Sequence, residues 1–552
     1  MKKILFFFLF ISYSASAQTE SFTHGMVSSA DELASQVGID IMKKGGNAID
    51  AAVGVGFALA VVYPNAGNIG GGGFMVIHLA DGKNTTIDYR EEAPGLAGRD
   101  MYLDKAGNVI VNLSTLGHLA GGVPGSVAGM LYALDKYGTM KREDVMKYAI
   151  DYAENGFKVH KRLADNVKDQ QENFNKFSST SKIFNSSIKE GKVFKQKDLA
   201  ETLKRISKEG TDGFYKGRTA DLLVEEMKKG NGLISYNDLS NYKAIEREPV
   251  TGSYRGYQIV SMPPPSSGGI CLIYLLNILE NFDLKSFGYN TVATDHAMIE
   301  AMRRVYADRS EYMGDPGFFK VPTGVLLSKP YAQLRISDFD KDHASLSSIV
   351  KPGNIVKESD QTTHYSVADG SGNLVSVTTT LNDNFGSKLV IDGAGFILND
   401  EMDDFSSKPG VPNMYGLVGS EANSIQPGKR MLSSMTPTLI FKDNKPFMVV
   451  GSPGGGRIIT SVLQVIVDVI DFNMDLLTAI DEPRFHHQWL PDEVQAEKRF
   501  LNNVDIIEKF KNMGYTIKEI PDFGRIDAII FNEDGSMSGH SDKRGYGKEV
   551  GF

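Results

Sequence analysis

Within residues 30–44, Leu33, Val37 and Ile41 recur every four positions, the spacing of one helix face, and Gly45-Gly46 ends the pattern. The alanine-rich segment at 48–62 is apolar all round, which predicts a helix packed closely on every side, with Asn47 or Asp50 as its cap. After IGGGGF at 69–74, residues 74–79 and 85–89 read as strands joined across Asp81-Gly82. Four consecutive glycines let either another backbone or a ligand come close, and the pattern leaves both readings open. Helical spacing recurs over 130–155, 197–210, 270–279, 291–306 and 458–470. Residues 362–368 and 374–380 alternate on either side of DGSGN, and 438–441 and 447–450 form a second pair. The chain closes with a helix at 504–512 and strands at 516–519 and 526–531. Residues 170–195 are polar enough to predict surface, and 320–360 are loosely patterned enough for a boundary. Strand pairs followed by buried helices predict a layered core in which helices cover antiparallel sheets.

Composition narrows the class. Hydrophobic residues at 41% and charged residues at 23% are globular values and exclude a disordered polymer. A net charge of −9 gives no basis for a nucleic-acid partner. Cys271 is the single cysteine, so neither an internal disulfide nor a thiolate metal cluster is available. The N-terminus adds an address: Lys2 and Lys3 precede the apolar run 4–11, and Ala15-Ser16-Ala17 supplies small residues for cleavage. This predicts a signal peptide at 1–17, a mature start at Gln18, and a periplasmic or secreted destination. Later apolar runs are too short for a membrane anchor, the longest being residues 51–63.

Most familiar catalytic motifs are missing. There is no HExxH and no GxSxG. GSPGGGRI at 451–458 approaches a P-loop, but Arg457 and Ile458 replace the lysine and the hydroxyl that the motif needs. Its glycines, ahead of a helix, suit either an oxyanion seat or an anchored turn. His486-His487 lacks a companion carboxylate pattern for a metal and reads as core or surface. Ser179 and Ser186 each stand three residues before a lysine, and Ser235-Tyr236-Asn237 resembles a penicillin-binding motif, yet no KTG segment completes the set.

A denser group remains between Gln361 and Gly456. A threonine hydroxyl is a poor nucleophile without an adjacent base, and the α-amine of an N-terminal threonine, with a pKa of roughly 7.7, is one. An internal threonine acquires that amine only if the peptide bond before it is cut. His364, two residues after Thr362, suits either a Thr/His dyad or a buried structural histidine.

The pattern resembles γ-glutamyltranspeptidase, a self-processing N-terminal-nucleophile hydrolase also called glutathione hydrolase. The resemblance rests on GGNAIDAAV at 45–53, IGGGGF at 69–74, DYREEAP at 88–94, RDMYLD at 99–104, PPPSSGG at 263–269 and TTHYSV at 362–367. NDEMDDFSSKPGVPN at 399–413, SSMTPT at 433–438, GSPGGGR at 451–457 and RFHHQWLPDE at 484–493 complete it, across essentially the whole mature chain.

The resemblance implies an α+β fold, a four-layer αββα sandwich built from two associated chains, a large subunit 18–361 and a small subunit 362–552. It implies that Thr362 both cleaves the chain and attacks substrate, that the Thr380 hydroxyl supports it, and that Gly454 and Gly455 donate to the oxyanion. Arg90, with Ser433 and Ser434, would hold the α-carboxylate of a γ-glutamyl group. Asn382, Glu401 and Asp404 would hold its α-ammonium, and Tyr415 would tip a lid formed by residues 409–420. Some bacterial members carry glutamine where Glu401 stands. The segment 62–67, VYPNAG, departs from the family's more usual HPxxSG.

The implied reaction moves the γ-glutamyl group of glutathione and related compounds to water, an amino acid or a peptide amine. It needs no metal or organic cofactor. The alternatives are a cephalosporin or glutaryl acylase of the same superfamily, against which Asp404 and Tyr415 argue, and a non-catalytic periplasmic homologue. The latter would be expected to have lost the threonine, arginine or aspartate that this chain keeps.

Overall fold

The computed structural model describes residues 20–353, 363–408, 414 and 421–552. The expected signal peptide, the Gln361–Thr362 bond and Tyr415 lie outside the described residues.

Two antiparallel sheets organise the chain. The first has seven strands in the order Lys548–Gly551, Gly25–Ser29, Thr363–Asp369, Leu374–Thr380, Gly72–His78, Asn84–Asp88 and Ile245–Arg247. The second has six, in the order Met537–Ser541, Asp527–Phe531, Lys445–Gly451, Thr438–Lys442, Tyr257–Ser261 and Val250–Tyr254.

Side-chain alternation divides the core. Along Thr363–Asp369, Tyr365 and Val367 join the apolar cluster of helices Glu32–Lys43 and Ala48–Val62. Ala368 instead joins Phe74, Val76, Leu439, Val449 and Ile529 in a cluster drawn from both sheets. Helices Gly268–Leu279, Val292–Tyr312 and Arg457–Ile470 share a third cluster with Ile259, Ile440, Met448 and Val450 of the six-stranded sheet. Both faces of the central strands are therefore buried, which is why Thr363–Asp369 and Leu374–Thr380 are buried at every position. Among the described residues no helix is long and apolar enough to cross a membrane.

The expected elements recur with physically explicable differences. Asn47 and Asp50 both cap Ala48–Val62, forming a reciprocal capping box. The helix expected over 130–155 is two, Ser126–Tyr137 and Arg142–Asn155. Asp50 holds the break between them, accepting from the N–H groups of Thr139 and Met140 and from the Thr139 hydroxyl. The polar stretch 170–195 is anchored more deeply than its composition suggests: Phe174 and Phe184 are buried, with ring centroids 5.1 and 5.5 Å from that of Phe385. The helix expected to end at Tyr306 continues to Tyr312, and in the added turn Asp308 is buried in an ion pair with Arg335 instead of facing water. The glycine run is resolved in favour of close packing. A Cβ on Gly70 or Gly71 would collide with the carbonyls of Ile397 or Thr380, and one on Gly72 would press on the Tyr89 carbonyl.

Candidate active site

Register brings the candidate residues to one end of the seven-stranded sheet. Thr363 pairs with Thr379, Thr380 with Gly72, and Gly73 exchanges backbone hydrogen bonds with Tyr89, the residue before Arg90. Chain connectivity places Thr362 directly before Thr363. The Thr380 Oγ1 accepts from the Asn382 N–H at 2.7 Å, and Asn68 Nδ2 donates to the Thr380 carbonyl at 2.7 Å. Asn382 sits at φ +76° and donates from Nδ2 to the Asp400 carbonyl at 3.0 Å. This ties the end of Leu374–Thr380 to the 3₁₀ turn Glu401–Asp404, whose first N–H is received by Asn399 Oδ1 at 3.0 Å.

That turn meets Arg90. The guanidinium, 1% exposed, donates from Nη1 to Glu401 and from Nη2 to Asp404. It also donates to the carbonyls of Met431 and Leu432, at 3.2 and 2.9 Å. These contacts draw Ser433 and Ser434 to the same corner. The Ser433 carbonyl receives the Ser267 N–H and hydroxyl at 2.7 and 2.9 Å, and the Ser434 hydroxyl accepts from Arg309 Nη2. Arg90, Asn382, Glu401, Asp404, Ser433 and Ser434 are thus brought together. Arg90 contacts both carboxylates directly, where the resemblance assigned it to the α-carboxylate of a ligand and them to its α-ammonium.

The electrostatics are unusual for a protein interior. Glu91 lies 3.8 Å from the Arg90 guanidinium, so three carboxyl groups share one buried cation. Burial, only partly offset by Arg90, pushes Glu91 up to about 7 and Glu401 well above the usual carboxylate range. The Asn382 Oδ1 and Glu401 Oε2 atoms are buried without a hydrogen-bond partner among the described residues. Such unsatisfied polar atoms are costly in a core and point to a site that receives a polar ligand.

Gly454 and Gly455 occupy the turn between Lys445–Gly451 and Arg457–Ile470, at φ +127° and +68°. These angles suit glycine, and the turn is held by the Ile458 N–H on the Gly455 carbonyl at 2.9 Å and the Tyr306 hydroxyl on the Gly456 carbonyl. The turn lies against the neighbourhood of Thr363. A Cβ on Gly454 would stand 3.5 Å from the Gly524 N, and Arg525 donates to the Thr363 hydroxyl at 3.2 Å.

A family model described as Gamma-glutamyltranspeptidase matches residues 34–552. The chain belongs to the γ-glutamyltranspeptidase family. It is 50% identical over 525 residues to the glutathione hydrolase proenzyme of Escherichia coli (strain K12), covering 94% of this chain and 90% of that protein. The crystal structure of Helicobacter pylori gamma-glutamyltranspeptidase is 50% identical, with TM-score 0.58, covering 59% of this chain and 94% of that one. The cephalosporin acylase from Bacillus halodurans is 28% identical with TM-score 0.88, covering 100% and 99%. The greater sequence identity to transpeptidases and glutathione hydrolases favours that side of the superfamily.

The histidines take structural places. His364 is buried, with Nδ1 2.9 Å from Thr378 Oγ1 and Nε2 3.1 Å from Ser366 Oγ. Burial and the nearby Arg525 charge hold it well below the ordinary histidine pKa, so it is a neutral core residue of the transpeptidase fold. His486 engages Thr460 and Gln488, and His487 engages Asp492 and the Trp489 N–H. Among the described residues no group of three or more His, Cys, Asp or Glu side chains is arranged to hold a metal ion. Sequence reasoning missed Arg309 and Arg525. Arg309 lies one helical step beyond Tyr306, so extending that amphipathic face by a turn finds it. No local sequence signal marks Arg525.

Proposed function

We propose that this protein hydrolyses and transfers γ-glutamyl groups, acting on glutathione and related γ-glutamyl amides. The observation that carries the reading is the fully buried Arg90–Glu401–Asp404 cluster at the sheet end where the strand after Thr362 begins. A γ-glutamyl group is a zwitterion at its far end. Its α-carboxylate can take the Arg90 fork, while its α-ammonium takes Glu401, Asp404 and the Asn382 Oδ1, exchanging ion pairs for ion pairs of the same kind. A glutaryl group lacks the ammonium and would leave these acceptors unmatched, which disfavours the acylase reading.

In this reading the exported precursor loses residues 1–17 and reaches the periplasm or the medium. It then cuts itself between Gln361 and Thr362. The products, 18–361 and 362–552, stay associated as the four-layer αββα sandwich of N-terminal-nucleophile hydrolases. The two sheets sharing one apolar core, each with helices in its other cluster, support that architecture.

Chemistry follows from a threonine with its own base. The Thr362 Oγ attacks the γ-carbonyl carbon as its proton passes to the α-amine, with the Thr380 hydroxyl supporting the nucleophile. The carbonyl oxygen becomes an oxyanion that receives the N–H groups of Gly454 and Gly455. The C–N bond breaks, the amine returns the proton to the leaving cysteinylglycine nitrogen, and a γ-glutamyl-threonyl ester remains. Water releases glutamate; an amino-acid or peptide amine forms a new γ-glutamyl amide. Ser433 and Ser434 line the carboxylate side, and Tyr415 belongs to the lid. The partners are these small molecules and the two subunits themselves, with neither nucleic acid nor a stable membrane anchor.

Arg90→Lys tests the clamp. Losing the planar fork while keeping the charge is expected to raise the KM for γ-glutamyl-p-nitroanilide roughly ten- to a hundredfold, with self-cleavage intact. An unchanged KM would remove Arg90 from the carboxylate site. Glu91 adds a pH signature: above about 7 it ionises beside Arg90 and repels an incoming carboxylate. Donor KM is therefore expected to rise as pH passes that value, and the rise to flatten in Glu91→Gln.

A further inference from the structure

Thr363 is 1% exposed, and its hydroxyl accepts from Arg525 Nη2 at 3.2 Å. From Nη1 the same guanidinium donates to the Tyr63 hydroxyl at 3.2 Å, and Nη2 stands 3.0 Å from Asp527 Oδ2. Asp527 is itself fixed, its Oδ1 accepting from the hydroxyls of Ser541 and Ser28 at 2.5 and 3.2 Å. Tyr63, Arg525 and Asp527 are all buried. Gly545 presses on the arginine stem so closely that a Cβ there would collide with Arg525 Cδ.

A buried ion pair is a weak source of stability, because desolvating the two charges offsets most of their attraction. Its geometry here offers a different use. Residues 524 and 525 stand beside both halves of the proposed machinery: a Cβ on Gly454 of the oxyanion turn would meet the Gly524 N at 3.5 Å, and Arg525 donates to the residue after the nucleophile. Tyr63 closes the arrangement from the segment in which this chain departs from the family's HPxxSG pattern. Just past that segment, Asn68 reaches the Thr380 carbonyl.

We propose that Arg525, braced by Asp527 and Tyr63, is a positioning residue that sets the start of the Thr363–Asp369 strand relative to the Gly454-Gly455 turn. This rests on the reading of Thr362 as nucleophile, one Cα step or about 3.8 Å from Thr363. The contact that Arg525 makes with this strand is to Thr363, the residue after the nucleophile, so it acts through the chain's position. It fixes where attack and oxyanion capture occur, and an error of about 1 Å there costs on the order of a hundredfold in rate.

The test compares three variants with wild type: Arg525→Lys, Tyr63→Phe, and Arg525→Gln combined with Asp527→Asn so that no buried carboxylate is stranded. Rates of one-chain to two-chain conversion and steady-state kinetics on γ-glutamyl-p-nitroanilide are measured on protein with a cooperative melting transition. The double variant is expected to slow self-cleavage and lower kcat about 10- to 100-fold, with KM within about twofold of wild type. Arg525→Lys should recover part of that loss, and Tyr63→Phe should show a smaller loss of the same kind. If the double variant does not fold, Tyr63→Phe, which removes one hydroxyl, carries the same comparison. Wild-type kcat in the variants, a loss confined to KM, or a lysine variant no better than the double variant would overturn the proposal. N-terminal sequencing of the wild-type small chain judges the Thr362 reading separately, whatever the Arg525 variants do.

Discussion

Thr362→Ala is expected to yield one uncut chain with γ-glutamyl turnover at least about 10⁴-fold below wild type. Without the hydroxyl there is no oxygen to take the acyl group from the Gln361–Thr362 amide, so the α-amine that serves as base is never released. Wild type should run as chains of about 38 and about 21 kDa, scaled from 60.4 kDa over 552 residues. Thr362→Ser retains an oxygen and should still be cut, more slowly. A Thr362→Ala protein that still separates into the same two chains would transfer cleavage to another group. A single wild-type chain would restore the non-catalytic reading.

Asp404→Asn is expected to collapse the preference for γ-glutamyl over glutaryl substrates. Both present the same amide carbonyl and the same distal carboxylate, and differ only in the α-ammonium. Losing one partner of a buried charge-assisted contact costs roughly 2–5 kcal/mol, or about 30-fold to several thousandfold in kcat/KM. Asp404 also shares the Arg90 guanidinium, so neutralising it leaves the fork freer for the distal carboxylate. Glutaryl turnover should therefore hold or rise while γ-glutamyl turnover falls, with Glu401 and Asn382 retaining part of the preference. The measurement is kcat/KM on paired γ-glutamyl and glutaryl anilides, and equal losses on both would assign Asp404 to the fold or the nucleophile.

Local pattern carried much of this architecture. The alternation at 362–368 and 374–380, the capped apolar helix after Asn47 and the glycine turn before Arg457 correspond to elements observed. What escaped was information held across long sequence separations. The chain breaks between two helices at Thr139-Met140, where Asp50, some 90 residues earlier, receives both N–H groups. Phe174 and Phe184 sit in a polar run whose average conceals two anchoring rings. In the site, Arg90, Glu401 and Asp404 came only from the family resemblance, and their direct contact was not foreseen. Arg525 meets Thr363 across 162 residues, and only folding joins them.

The central claim is that an internal threonine becomes an N-terminal nucleophile carrying the γ-glutamyl group. Its most direct measurement is peptide mass spectrometry on wild-type enzyme acid-quenched during turnover of γ-glutamyl-p-nitroanilide. The account predicts a small-chain peptide beginning TTHYSV, heavier by one γ-glutamyl residue, with fragmentation placing the adduct on Thr362. A small chain with another N-terminus, or an adduct carried by any other residue, would contradict it.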